Sequence, residues 1–564
     1  MKSKSKTILF PLFERLKTYS LRSELLRDVN VGLSMAVLLI PQGLAYALLA
    51  GVPAIYGLYS GIVPVLIYAI FGTSRYLAVG PVAISSILVF QGVSLLAEPF
   101  SAEYLQLVIT CGFYVGLLQL LLGIFKFGSL VNLIANPVIK GFIAAASLLI
   151  VVSQLKSALG LDLDRGPSLM HNVGAVIKHI GETNLVAFGT FSVSVALLYL
   201  LKRISKKIPG AFITVVIAIL VTKYLHLDSH GVSILGSVGA GLPKLSMPTL
   251  EVNVLRSLLP TLLTLTVVNL VECISIGKAL EDKTHLIRPN QEFIALGLSK
   301  IGGALTSSFP TSGSFSRSAV CKDVKANSQL AGVISALLVL LTLLVLTPLV
   351  YYLPTPTLAA IIIVSVLKLF DVKSFRHLYQ THRRDFVVMV VTFIGSLFVS
   401  IEIGILIGVI LSLMLVLQQS SKPNVSILGK VPGTTNYRNV SVLKNLEEYD
   451  GTLIVRLEDQ LFFGNNEYFD EQIRALVEEN SDEIQAIFLD AKSIFQIDSS
   501  GIDTLHDILE YLDDKDIELH ICSGMARFRH QLSKSGFTKT LGQDRIHISV
   551  HKAITQYQSK HNVT

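Results

Sequence analysis

The chain has 564 residues, of which 51% are hydrophobic and only 15% charged, and its formal net charge is +7. A soluble globular protein carries about 25% charged residues, so most of this chain is expected to lie in lipid. The surplus of Lys and Arg fits cytoplasmic loops rather than nucleic-acid binding. The four cysteines, Cys111, Cys273, Cys321 and Cys522, are too scattered to suggest a disulfide framework or a metal cluster.

Residues 1–30 are basic and amphipathic (Lys2, Lys4, Lys6, Arg15, Lys17, Arg22, Arg27) and read as a cytoplasmic, interfacial N-terminal segment. No short apolar core followed by a small-residue cleavage site is present there, so the first apolar segment is expected to stay as a membrane helix. Residues 31–420 then read as a transmembrane transport domain. Its apolar segments fall at 31–50, 55–72, 81–96, 104–125, 133–151, 184–201, 209–226, 254–278, 291–306, 314–322, 328–350, 356–370, 385–400 and 402–420. That is about 14 transmembrane segments, several shorter than the roughly 20 residues a straight crossing helix needs.

Loop charges alternate with this count. The loops after even-numbered spans hold Arg75, Lys126, Lys202 to Lys207, Lys278, Lys283, Arg288, Lys322, Lys325 and the Lys368 to Arg384 cluster. The opposite loops hold Glu98, Glu103, Asp228 and Glu251, with few basics apart from Lys156, Arg165, Lys178 and Lys244. The positive-inside rule then places both termini in the cytoplasm.

Two breaks interrupt the apolar sequence. Val79-Gly80-Pro81-Val82 opens span three, and Ser312-Gly313-Ser314-Phe315-Ser316-Arg317 opens span ten. If the spans form two sets of seven, three and ten are equivalent. The interval from Gln42 in span one to Pro81 is close to that from Glu272 in span eight to Ser314. Paired interrupted helices in corresponding halves point to a central binding site, with free helix N-termini aimed at something negative. The other reading makes each break a turn between hairpin helices.

Arg317 is a permanent cation at apparent membrane depth, costly unless it faces a cavity or a partner. Three readings stand: an anion ligand, the cytoplasmic end of a short span, or a partner of an intramembrane carboxylate. Glu272 is the best-placed such carboxylate, either a coupling group for a proton or cation or a structural hydrogen-bonding group. In span one, Gln42 and Tyr46 follow Pro41 and share a helix face, which suits a polar cavity or an internal helix–helix hydrogen bond.

After Ser420 the character changes. Residues 421–445, with Lys422-Pro423 and Val431-Pro432-Gly433, read as a linker, and residues 446–564 as a small α/β domain. Strands are expected at Thr452–Leu457, Ile484–Leu489 and Ile517–Cys522, and helices at Glu467–Glu479, Gly501–Leu512 and Met525–Ser535. A last strand-helix pair is expected near 546–558. Asp498-Ser499-Ser500-Gly501 opens a helix, where capping and phosphorylation at Ser499 or Ser500 are both chemically suited.

These motifs, in order, resemble the sulfate permease (SulP) family, bacterial relatives of solute carrier family twenty-six. The matching residues are Ile40-Pro41-Gln42-Gly43-Leu44-Ala45-Tyr46-Ala47, Tyr56-Gly57-Leu58-Tyr59-Ser60, Val79-Gly80-Pro81 and Gly313-Ser314-Phe315-Ser316-Arg317-Ser318-Ala319-Val320. The tail resembles a STAS domain through Asp498-Ser499-Ser500-Gly501. The resemblance implies a polytopic α-helical membrane protein, two inverted seven-helix repeats arranged as core and gate domains, and a cytoplasmic STAS domain. It implies an anion held by Gln42, Tyr46, Val82, Phe315, Ser316 and Arg317, elevator-type alternating access and a homodimer. Gln42 stands where some members carry an acid, which leaves Glu272 as the candidate for ion coupling.

The reading that follows is a secondary active carrier in a bacterial inner membrane, taking up sulfate with protons or another ion such as sodium, without a bound cofactor or metal. A fixed arginine and two helix dipoles suit a divalent anion. Bicarbonate, chloride and dicarboxylates are alternative substrates. A membrane sensor or scaffold signalling through a partner of the STAS domain is the non-transport alternative. An enzyme is not expected, for want of a nucleotide loop, a metal-ligand cluster or a nucleophile–base pair.

Overall fold

The computed structural model describes residues 10–17, 19–20, 24–128, 135–163, 169–204, 210–236, 241–281, 287–367, 370–479 and 484–561. Lys2, Lys4, Lys6 and Arg22 of the basic N-terminal run, and Lys206, Lys207, Lys283 and Lys368 of the basic loops, lie outside them. The chain forms two compact units, Met1–Ile410 and Leu411–Thr564.

In the first unit the helices are α1 (Pro11–Lys17), α2 (Leu25–Leu49), α3 (Ile55–Tyr59), α4 (Val63–Phe71), α5 (Ala83–Val93), α6 (Ala102–Ile124), α7 (Asn136–Leu159), α8 (Leu169–Lys178), α9 (Leu185–Ile204) and α10 (Gly210–Leu225). They continue as α11 (Val252–Leu280), α12 (Pro289–Leu305), α13 (Phe315–Asp323), α14 (Leu330–Leu341), α15 (Thr355–Val366), α16 (Val372–Thr381) and α17 (Arg383–Phe398), and α18 (Ile401–Ser421) begins in this unit and ends in the second. Two short strands, β1 (Val79–Gly80) and β2 (Ser312–Gly313), precede α5 and α13. Every expected span coincides with a helix or a helix pair. Among the described residues, six helices are long and apolar enough to cross a membrane, and shorter apolar helices lie between them.

Packing partners repeat between the halves. α6 lies on α12 and α4 lies on α14, a pairing exchanged when the seven segments of one half are mapped on the other. Tight crossings rest on glycine. A Cβ on Gly57 would stand 1.9 Å from the Gly43 carbonyl oxygen, so α2 and α3 meet backbone to backbone.

The structure departs from the sequence reading in several places. The first membrane helix starts at Leu25, inside the stretch read as cytoplasmic. Asp28 on it is fully buried, accepting from Asn327 N (2.8 Å), Ser328 Oγ (2.7 Å) and Tyr19 Oη (3.0 Å), so its polar character marks an internal tie rather than a solvated end. Span eleven is helical only to Leu341, after which a π turn (Thr342–Leu346) and a 3₁₀ turn (Thr347–Tyr352) follow. α8 and α16 are amphipathic helices that apolar runs alone do not reveal.

The second unit carries a six-stranded sheet in the order β4-β3-β5-β6-β7-β8. Its strands are β3 (Val425–Lys430), β4 (Tyr437–Asn439), β5 (Thr452–Leu457), β6 (Ala486–Asp490), β7 (Glu518–Cys522) and β8 (Ile546–His547). β5 to β8 run parallel, and β3 pairs antiparallel with both β4 and β5. Residues 421–445 are therefore not a linker. Between Pro423 and Pro432 lies the short run Val425-Ser426-Ile427-Leu428, rich in β-branched and apolar residues, which pairs as strand β3; the flanking prolines mask that signal.

The tail's helices are α19 (Asn466–Glu479), α20 (Ser499–Asp513), α21 (Ala526–Ser535), α22 (Phe537–Leu541) and α23 (Val550–His561). Because neighbours on a strand face opposite ways, Ile487 and Leu489 pack with Phe469, Ile473 and Leu505, while Phe488 packs with Val550, Ile554 and Tyr557.

Candidate functional site

The two breaks meet. Val79 pairs with Gly313 and Gly80 with Ser312 in an antiparallel bridge, extended by Ser314 N donating to the Ala78 carbonyl (2.9 Å) and Ala78 N donating to Ser318 Oγ (2.9 Å). Antiparallel pairing sends α5 and α13 away from the bridge in opposite directions, with their N-termini at a common centre. Gly80 makes the bridge passable: its φ is +153°, and a Cβ there would sit 3.1 Å from Arg317 Nη2 and 3.2 Å from Leu39 Cδ1.

Both half-helices begin with spare N–H groups. Val82 caps α5 in an extended conformation and has no side chain that can accept, so the first-turn N–H groups of α5 lack a side-chain cap. Ser314 caps α13 and accepts from Arg317 N at 3.4 Å. Each N-terminus adds a positive partial charge to the centre.

Arg317 lies between them, 1% exposed. Its Nη1 donates to Gln42 Oε1 (3.0 Å) and its Nη2 to the Pro81 carbonyl (3.0 Å). Its Nε is buried without an acceptor. Among the described residues no carboxylate comes within ion-pair distance of it. This removes the carboxylate-pair reading and defines what Gln42 does. Its amide orients the guanidinium across the break, where an acid would neutralise it instead.

The remaining sequence-derived residues divide into three groups. Tyr46 and Val82 are buried beside this centre, with Tyr46 close enough for its hydroxyl to interact electrostatically with Arg317. Phe315 and Ser316 are exposed at the start of α13, and Ser316 Oγ lies 3.3 Å from Ser314 Oγ. Glu272 accepts from Ser312 Oγ at 3.0 Å, so the carboxylate braces the bridge from α11. It also lines a small apolar cavity of about 30 Å³ with Ile84, Val138, Phe142, Val268 and Ile405. Cys273, next to it, receives Gly313 N at 3.1 Å.

Sequence reasoning misses several buried polar residues in and around the site. Asn269, one turn before Glu272, accepts from Ser85 Oγ (2.9 Å), and its Nδ2 is a second buried donor without an acceptor. Lys300 on α12 is 2% exposed and donates to Gln119 Oε1 on α6 at 2.9 Å. Each is a lone polar residue in an apolar run, which is the signal that could have found it. In the tail, Asp498 caps α20 by accepting from Gly501 N (2.9 Å). Ser499 is exposed and Ser500 half-buried in the first turn. No group of three or more His, Cys, Asp or Glu residues is placed to hold a metal among the described residues.

Two broken helices meeting nose to nose among long apolar helices, with an appended α/β domain, define a multi-pass membrane transporter. Residues 25–392 match the Sulfate permease family and residues 444–553 the STAS domain; the chain belongs to the sulfate permease family. It is 33% identical to "Sulfate transporter 4.1, chloroplastic" of Arabidopsis thaliana, over 97% of this chain and 82% of that protein. It is equally 33% identical to "High affinity sulfate transporter 2" of Stylosanthes hamata, over 98% of this chain and 87% of the other. Its structure is similar to that of the murine solute carrier 26 family member A9 anion transporter in the inward-facing state. That match has a TM-score of 0.92 at 26% identity and covers 98% of this chain and 94% of the other. The transmembrane domain of the cyanobacterium bicarbonate transporter BicA shares the fold, with a TM-score of 0.60 at 20% identity over 69% of this chain and 97% of that domain.

Proposed function

We propose that this protein is a secondary active anion transporter whose substrate is sulfate, taken up with a proton. The observation that carries the reading is the buried centre at the bridge: a guanidinium without a carboxylate, two helix N-termini, and buried donors on Arg317 and Asn269 that lack acceptors. Such a centre attracts anions and leaves donors for their oxygens. The names of the curated relatives favour sulfate among them.

In this reading Gln42, Tyr46, Val82, Phe315, Ser316 and Arg317 form the anion site, and Glu272, attached to the bridge through Ser312, takes up the coupling proton. The bridge binds both half-helices into one body that moves against the remaining helices, as an elevator requires. The protein works as a homodimer in a bacterial inner membrane with both termini cytoplasmic, and its STAS domain binds a cytoplasmic partner or is phosphorylated at Ser499 or Ser500.

The test is uptake into proteoliposomes of labelled sulfate, bicarbonate, chloride and succinate, with and without pH and sodium gradients. Sulfate uptake driven by an inward proton gradient is expected. Uptake of no anion at all overturns the carrier reading and favours the sensor or scaffold.

A further inference from the structure

Lys300 has no part in the anion site described above, yet its position is built with care. α6 and α12 cross at two glycines: a Cβ on Gly116 would stand 2.8 Å from the Gly297 carbonyl oxygen, and one on Gly297 would stand 2.6 Å from Leu120 N. Three residues further along each helix are Gln119 and Lys300, so the close crossing seals their hydrogen bond, and the Gln119 side chain is fully buried. Gln119 in turn donates to the Thr266 carbonyl on α11 at 3.4 Å. Among the described residues, Lys300 has no carboxylate within ion-pair distance. Through Gln119 it is tied to α11, the helix that carries Glu272 and Cys273, the thiol that holds the bridge at Gly313 N.

An unpaired ammonium buried in a membrane helix is expensive to keep, and a glutamine alone does not neutralise it. A purely structural need at this crossing would be met by an uncharged side chain. The feature that requires a charge is the site that α11 braces through Glu272 and Cys273. Arg317 and Lys300 are two buried cations, and Glu272 stands on α11, the helix that packs against both α13 and α12.

We propose that Lys300 is a positioning residue for anion translocation: a second fixed cation that makes the loaded centre electrically neutral when it holds a divalent anion and the proton on Glu272. This rests on the proposed sulfate–proton reading. With Glu272 ionised, the empty centre carries one positive charge. A proton and a dianion bring it to zero, so the loaded centre crosses the membrane field without doing electrical work, and the empty return step carries the charge. Without Lys300 the loaded centre carries a net negative charge and the empty one none, so the voltage-sensitive step changes places.

Labelled-sulfate counterflow in proteoliposomes, in which only loaded centres cross, tests this under imposed potassium-diffusion potentials. The wild type is expected to show counterflow insensitive to potential and net uptake sensitive to it. Lys300→Gln is expected to make counterflow change several-fold with potential, whereas Lys300→Arg, which keeps the charge, stays like the wild type. Wild-type counterflow that responds to potential overturns the proposal without recourse to any variant. Potential-insensitive counterflow in Lys300→Gln overturns the role of Lys300 alone. Absence of sulfate counterflow in the wild type overturns the sulfate reading together with it.

Discussion

The two units treat buried charge in opposite ways. In the tail, Asp490 at the end of β6 is 2% exposed, and Arg456 on the neighbouring strand meets it through Nε (2.9 Å) and Nη2 (2.6 Å). In the membrane-spanning unit, Arg317, Lys300 and Glu272 make side-chain hydrogen bonds only to neutral groups: an amide, a carbonyl or a hydroxyl. A paired charge is complete and has no further use for a ligand. A charge held only by neutral partners keeps its field, at an energetic cost, and that field is available to a visiting ion. Asp28, whose partners are also neutral, shows that such a charge can equally be a tie, so what marks Arg317 is the donor it leaves without an acceptor.

Removing a site charge should abolish activity while leaving the fold. Arg317→Ala is expected to lower sulfate uptake by at least 10²-fold in proteoliposomes while the protein still elutes as a folded species by size exclusion. Wild-type uptake in that variant would remove Arg317 from the site. Removing a structural charge should do the reverse. Asp490→Ala leaves the Arg456 guanidinium partly buried and unpaired, and a destabilisation of the tail of about 3–5 kcal/mol is expected. Hydrogen exchange of β5 and β6 in the full-length protein measures it.

A smaller effect is expected at Glu272. Glu272→Gln keeps the hydrogen bond with Ser312 and removes the titration, so uptake should lose its dependence on an imposed pH gradient while exchange of sulfate for sulfate persists. The mildest effect lies in the tail's histidines. His520 Nδ1 lies 3.1 Å from His547 Nε2, and its Nε2 lies 3.1 Å from Glu518. Burial holds His520 down from 6.5 to about 4, against the upward pull of Glu518, and burial also holds His547 below its ordinary value. The folded tail therefore binds fewer protons than the unfolded chain. Their contribution to stability is complete above about pH 6.5 and is lost as the pH falls toward 4. Protection of β7 amides should fall over that window, and His520→Phe should flatten the response.

The membrane segments are readable because apolar length is a strong signal, and the bridge because Gly80-Pro81 and Gly313 punctuate two otherwise apolar spans. The α/β alternation of the tail is equally plain. Lys300, Asn269 and Gln119 escape a sequence reading, since each is a lone polar residue whose meaning depends on a partner on another helix. Asp28 reads as part of a solvated start because its ligands, Asn327 and Ser328, are about 300 residues away. Sequence pattern reports periodicity well and tertiary pairing poorly. The strand at Val425–Lys430 shows the related failure, in which prolines at both ends outweigh the short β-branched and apolar run between them.

The bridge between β1 and β2 is only two residues long on each side. Each break is therefore a fixed spacer with no slack. Losing one residue between Ala78 and Ala83 would turn α5 by roughly 100° about its axis, since an α-helix has about 3.6 residues per turn. Ser85 would swing away from Asn269 and Ile84 out of the cavity beside Glu272, while β2 and α13 stayed in place. Substitutions at the break are graded in their effect, whereas insertions and deletions there are all-or-none. A single-codon deletion scan across residues 78–83 and 311–315 would map the length constraint directly.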